Sequence, residues 1–203
     1  MTKMKNLFTA ALLASALALP ALTSTSFAAL KPPSMAPEFA APASLAGKEF
    51  KFDLADALKK GPVVVYFYPS AYTQGCNIEA HTFAENADAF AAVNTTIIGV
   101  SHDSIARLND YSADPDYCAG KFPVASDPDG AIAKSYDLSV RAGREGMKDS
   151  RGNEIDHAFT ERTTFVIKPG GEIVATLSSA EDKVTPVEHV EKSLAIVKEM
   201  SAK

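Results

Sequence analysis

One cysteine follows a proline and a threonine at fixed spacing: Pro69-Ser-Ala-Tyr-Thr73-Gln-Gly75-Cys76-Asn-Ile-Glu79. Before it, residues 62–68 (PVVVYFY) form a continuous apolar, β-branched and aromatic run, which predicts a strand buried on both faces of a sheet. After it, apolar residues recur at Ala80, Phe83, Ala84, Ala87, Phe90 and Ala91, the spacing of an amphipathic helix. In an α/β sheet the C-terminal end of a strand, where a helix begins, is a favoured place for a site. Cys76 falls in the first turn of that helix, where unpaired N–H groups and the positive end of the dipole favour an anion and so the nucleophilic thiolate. Thr73 brings a hydroxyl one turn earlier, able to accept from a thiol or to donate to a bound oxygen. Pro69 fixes the loop and screens the sulfur from solvent.

The chain has 203 residues and only one other thiol, Cys118. A chain of this length buries a core without a disulfide framework, and two cysteines supply no dense one. In an exported protein two cysteines read, on compartment alone, as a structural staple, and that reading stands beside the catalytic one. Taken singly, Arg162 is a surface charge at the start of a strand and Glu79 a favourable first-turn acid. His81, His102, His157 and His189 lie on different elements, with no i, i+4 pair and no Cys-x-x-Cys neighbour, so no metal site is expected.

The elements that position the thiol follow from the same pattern. Residues 1–28 read as a signal peptide: Lys3 and Lys5, then an apolar run from Leu7 to Leu22 broken at Pro20, then small residues at Ser26 and Ala28. That run is too short for a transmembrane anchor, so the expected protein is exported, periplasmic or secreted, with no membrane association once the signal is removed. Without Lys3 and Lys5 the formal charge goes from −5 to −7, which argues against binding nucleic acid or anionic lipid. Residues 29–46, with Pro32, Pro33, Pro37 and Pro42, read as a Pro/Ala-rich arm, and residues 47–203 as the folded domain. Within it the sequence predicts a short helix capped by Asp53 and ended at Gly61-Pro62, a buried strand over 95–101, and a helix over 104–111. Next come a short strand over 122–125, a turn at 127–130, one or two helical turns over 131–136, and a long aperiodic excursion over 139–161. A hairpin over 163–177 and a final helix over 186–200, with Val187, Val190, Leu194 and Val197 on one face, close the chain. This order predicts an α/β fold of thioredoxin-like layout, a mixed central sheet with helices on both faces.

Pro69, Thr73 and Cys76 match the P-x-x-x-T-x-x-C motif of peroxiredoxins, and YPSAYTQGCNIEA resembles their Q-type, or bacterioferritin-comigratory, branch. Further matching blocks follow in order: Gly99-Val-Ser-His-Asp-Ser104, Phe122-Pro-Val-Ala-Ser-Asp127 and Arg162-Thr-Thr-Phe-Val-Ile167. The resemblance covers about residues 35–178. It implies a thiol-dependent peroxidase with Cys76 as peroxidatic cysteine, attacking the distal oxygen of a hydroperoxide to give a sulfenic acid. Thr73 would then bond the peroxide, Arg162 would hold thiolate and peroxide, backbone N–H groups of Gly75 and Cys76 would complete the cradle, and Glu79 would orient the arginine. The resemblance implies no metal or bound cofactor, a thioredoxin-like or other dithiol reductant, and a monomer or weak dimer. One departure stands out: part of the branch carries a resolving cysteine five residues after the first, and here that place is His81. Cys118 is the resolving candidate by default. Bridging needs the two Cα atoms within roughly 7 Å, so the turn around Cys76 would have to unwind.

Four other readings compete. An exported thiol–disulfide oxidoreductase needs a Cys-x-x-Cys pair, and residue 79 is Glu. A copper-delivery protein needs paired cysteines close in sequence plus a histidine, and a glutathione-peroxidase site brings a Trp that this chain lacks. A non-catalytic domain stapled by Cys76–Cys118 predicts an inert disulfide.

Overall fold

The computed structural model describes residues 28–202, so the signal-peptide reading of 1–28 lies almost wholly outside the described residues. The elements run β1 (Ser34–Met35), β2 (Ala40–Leu45), β3 (Lys48–Asp53), α1 (Leu54–Leu58), β4 (Val63–Phe67), α2 (Gln74–Ala92), β5 (Thr96–Ser101) and α3 (Ile105–Ala113). They continue with β6 (Val124–Ser126), α4 (Ala131–Ser135), β7 (Val140–Arg141), β8 (Phe159–Thr160), β9 (Thr163–Ile167), β10 (Glu172–Ser178) and α5 (Pro186–Ser201). Eight strands form one mixed sheet in the order β1-β10-β9-β4-β5-β6-β2-β3, and β7 pairs with β8 in a separate ribbon. β4, β5 and β6 are parallel, while β9 runs antiparallel to β4.

All five residues of β4 are buried, as the unbroken apolar run predicts. Successive side chains point to opposite faces: Val63, Val65 and Phe67 join one core cluster, Val64 and Tyr66 the other. The first cluster packs under α1 and α4, the second under α2, α3 and α5. Each fully buried Val or Phe contributes about 1.5–3 kcal/mol, so the central strands are fixed firmly on both sides. Among the described residues no helix is long and apolar enough to cross a membrane.

Two sequence expectations are corrected. Residues 29–46 are no separate arm, because β1 pairs with β10 and β2 lies between β3 and β6 in the main sheet. The prolines misled because only Pro42 lies within a strand, and pairing with β6 begins after it, at Ala43 and Ser44. The boundary at 46/47 therefore cuts the β2–β3 hairpin at its turn, where Ala46 and Gly47 both have positive φ (49° and 77°). On α5, Val190, Leu194 and Val197 are buried as expected, but Val187 is 37% exposed. His189 and Ser193 take inward positions instead, and His189 bonds Thr164 of β9.

Candidate active site

The loop from β4 into α2 brings most of the predicted site together. Thr73 is the N-cap of α2, but its side chain makes no cap bond; its Oγ1 donates to the carbonyl of Ser70 at 2.8 Å. The first intrahelical bond runs from Asn77 N to Thr73 O at 2.8 Å. The N–H groups of Gly75 and Cys76, ahead of it, therefore have no intrahelical acceptor. Cys76 is 2% exposed, and Nη2 of Arg162 donates to its Sγ at 3.2 Å. Arg162 enters from the residue preceding β9, and its Nη1 pairs with Oε2 of Glu79 on α2. A Cβ at Gly75 would stand 3.2 Å from Arg162 Nη2, so the missing side chain leaves the guanidinium room to reach the sulfur.

The electrostatics of this triad are unequal. Burial pushes the Glu79 carboxyl up to about 7 against the pull of Arg162, and its Oε1 is buried without a partner. Burial also works against the charge on Arg162, but Glu79 and Cys76 outweigh it and hold the guanidinium above its ordinary value. One fixed cation thus faces a buried sulfur and a buried carboxyl group, and low exposure strengthens charge interactions between them. Pro69, Val140, Phe159, Arg162 and Ser179 line a cavity of about 410 Å³ beside the pair. It offers a small molecule a way to the guanidinium.

Cys118 lies beyond α3, in the turn that precedes β6, fully buried and free, as is Cys76. Burial, with Asp114 adding to it, raises its thiol well above the ordinary range. Both cysteines share one core cluster with Tyr66, Tyr68, Tyr72 and Tyr111, and Tyr117 packs against it. Tyr111 donates from its hydroxyl to the carbonyl of Cys76 at 3.0 Å.

Sequence reasoning missed a second buried cluster that supports the loop. Asp103, at the end of β5 and fully buried, accepts from Ala71 N at 2.8 Å, from Ser101 Oγ at 2.7 Å and from Ser70 Oγ at 3.2 Å. His157 Nε2 lies 2.9 Å and Arg107 Nε 2.8 Å from Oδ1, the oxygen that Ser70 also bonds, while Ala71 and Ser101 meet Oδ2. Ser70 and Asp103 meet the same nitrogen of His157, so the three are no hydrolytic relay, which needs the two ring nitrogens on opposite partners. Asp103 stands in a matched block, yet nothing local marks it as a hub, and His157 lies in the aperiodic excursion. His81 is exposed on α2 and bonds the carbonyl of Asp116 at 3.0 Å.

Comparison with known proteins agrees with this geometry. The AhpC/TSA family model matches residues 32–176. A relative named peroxiredoxin Bcp from Xanthomonas campestris is 30% identical over 136 residues, covering 67% of this chain and 76% of its own. Among solved structures, peroxidoxin BcpB of Mycobacterium tuberculosis superposes with a TM-score of 0.67 at 27% identity, over 84% of this chain and 98% of its own. A Xanthomonas campestris bacterioferritin comigratory protein, described by its alkyl peroxide reduction activity, matches with a TM-score of 0.60 at 28% identity, over 79% of this chain and 91% of its own. Since the family match runs through most of the sheet and through the Cys76 loop, the chain belongs to the AhpC/TSA family of peroxiredoxins and is a thiol peroxidase.

Proposed function

We propose that Cys76 is the peroxidatic thiol of an exported peroxidase for hydrogen peroxide and organic hydroperoxides, that Thr73, Arg162, Glu79 and Pro69 serve it, and that Cys118 resolves its sulfenic acid. The observation that carries the reading is the Arg162 guanidinium bound at once to Cys76 Sγ, at 3.2 Å, and to Glu79. The thiolate attacks the distal oxygen of ROOH, the S–O bond forms as the O–O bond breaks, and the alkoxide leaves as ROH with a proton. Arg162 faces the charge that builds on the oxygens, and the unpaired N–H groups of the first turn face it from the helix side. The Thr73 hydroxyl has its proton committed to Ser70 O, so its lone pairs are free to accept from the peroxide. Pro69 walls the cavity beside Arg162, whose size admits a substituent larger than hydrogen. The alkyl peroxide activity named for the Xanthomonas protein supports the same substrate class.

Cys118 thiol then attacks Cys76 Sγ, forming a disulfide and releasing water, and a thioredoxin-like or other external dithiol returns both to thiols. Export rests on Lys3, Lys5, the apolar run 7–22 and the small residues Ser26 and Ala28. N-terminal sequencing of the protein from its native compartment should begin at Ala29; a retained Met1 overturns this part.

The direct test is stoichiometric hydroperoxide loss on mixing with the reduced protein, followed by a mass map of the product. Cys76→Ser is expected to abolish the loss and Cys118→Ser to leave the first turnover intact. Consumption by Cys76→Ser at the unmodified rate overturns the assignment.

A further inference from the structure

Tyr72 is a bulky residue held at φ +60°, in the left-handed region, one position before the N-cap of the Cys76 helix. L residues with large side chains rarely adopt this conformation, and where they do the surroundings must hold it. Here the surroundings come largely from outside the β4–α2 connection. The ring packs against Tyr111 at 4.9 Å and Tyr117 at 5.5 Å between centroids, and the guanidinium of Arg151 covers it at 3.3 Å from the ring centroid. The Tyr72 carbonyl accepts from Ser150 N at 2.8 Å. One residue earlier, Arg107 Nη2 donates to Ala71 O at 3.0 Å.

The turn that supplies Ser150 and Arg151 is itself organised by buried Asp149. Its Oδ1 accepts from Arg151 N at 2.8 Å and Asn153 N at 2.9 Å, and its Oδ2 lies 2.7 Å from Arg107 Nη2. Arg107 therefore ties this turn and Ala71 together. Tyr72 also stands between the two thiols' supports: Tyr111 holds the Cys76 carbonyl, and Tyr117 precedes Cys118.

We propose that the turn Asp149–Arg151 is a latch that holds Tyr72 in its left-handed conformation and so sets how often Cys76 leaves its closed pocket. Arg151 is its accessible part, with a side chain 34% exposed and only longer pairings, 3.5 Å to Asp149 and 3.6 Å to Asp110. It is a positioning residue acting through Tyr72, at a distance from the reacting atoms. Resting on the reading that Cys118 resolves, the consequence is that the latch also sets how quickly the sulfenic acid of Cys76 meets Cys118 rather than a second hydroperoxide.

The test is the rate at which a bulky maleimide labels Cys76 in the reduced full chain, read on the Cys76 peptide by mass spectrometry, for the unmodified protein and Arg151→Gln. Arg107 also stands over the ring, at 5.5 Å from its centroid, so Arg151→Gln removes the nearer of two cations. This should raise the labelling rate about fivefold, and the rate should stay nearly flat in low urea, since a local opening exposes little surface. The first hydroperoxide turnover should stay within about twofold of the unmodified protein, because the closed form still dominates. Arg151→Lys, which keeps a cation over the ring, should restore slow labelling, and Arg151→Met, which keeps the apolar stem but not the charge, takes the place of Arg151→Gln if that variant folds poorly. Equal labelling of Arg151→Gln and the unmodified protein overturns the latch, as does acceleration that rises steeply with urea. Whether Cys118 resolves is read separately: a peroxide-treated mass map without a Cys76–Cys118 bridge overturns that reading, and the labelling comparison still decides the latch.

Discussion

Arg162 serves two acidic partners at once, and their inequality shapes the site. Glu79 is buried deeply enough that its carboxyl titrates near 7, while its second oxygen has no partner. Its folded-state value lies above the ordinary 4.5, so the folded chain binds the extra proton more tightly than the unfolded one. The stabilisation is full at low pH and is lost as pH rises from about 4.5 through 7. Glu79→Gln should flatten that part of the profile of urea midpoint against pH, and it should also slow the first hydroperoxide turnover, because one of the two groups fixing Arg162 becomes neutral. An unchanged slope between pH 4.5 and 7 would show that Glu79 does not titrate there. The two cysteines differ in the same physical terms. Cys76 has a cation on its sulfur, whereas Cys118 has none and is held protonated by burial and Asp114. The motif spacing marked Cys76, Thr73 and Pro69, and the resemblance alone named Arg162 and Glu79 beside them; the pairing of β9 with β4 is what carries Arg162 to the sulfur.

At the scale of elements, the β4–α2 junction was legible because an unbroken apolar run precedes it and a helical apolar spacing follows it, with Gly75 at the entry of the helix. The hairpin of β2 and β3 was not, because proline content outweighed a turn that only positive φ at Ala46 and Gly47 reveals. α5 was legible as a helix, with a capping box of Thr185 and Glu188 and Pro186 in its first turn, but its inward face only in part: Val190, Leu194 and Val197 are buried as expected, while His189 and Ser193 lie inward and Val187 does not. His189 is fully buried there, bonded to Thr164 at 2.9 Å and to Ser179 at 3.0 Å, and burial holds its imidazole down to about 3. Its folded-state value lies below the ordinary 6.5, so the unfolded chain takes the proton first. Stability from this group is full above about pH 6.5 and drains away as pH falls towards 3. His189→Asn should remove part of the acid sensitivity of the thermal midpoint while lowering the midpoint at neutral pH by the lost packing and hydrogen bonds. Equal acid sensitivity in both proteins would exclude His189 as its source.

Across the whole molecule, Asp103 joins four separate stretches: the Ser70–Ala71 loop, the end of β5, α3 through Arg107, and the excursion through His157. Despite full burial its carboxyl is held below the ordinary range by bonds from His157, Ala71 and Ser101. Removing a buried charge's partner leaves the remaining charges uncompensated, at a cost of about 3–5 kcal/mol. Asp103→Ala should therefore lower the unfolding free energy by about that amount, measured by urea denaturation, and should loosen the Cys76 loop at the same time. A loss below about 1 kcal/mol would make the cluster peripheral to the fold.

Local patterns in the sequence by themselves determined the central strands, the helix that carries Cys76 and the chemistry of its first turn. Hydrophobic period and helix-end electrostatics act within a few residues, so a chain read in order displays them. Which charges meet depends on strand order and loop paths. The meeting of Arg162 with Cys76 and Glu79 was implied by the resemblance and not by any local pattern, and the gathering of His157 and Arg107 on Asp103 was decided by the tertiary structure alone. The excursion over 139–161 shows the limit most clearly. It has no periodicity to read, yet it carries Asp149, Arg151 and His157 onto the loop that holds the reactive thiol.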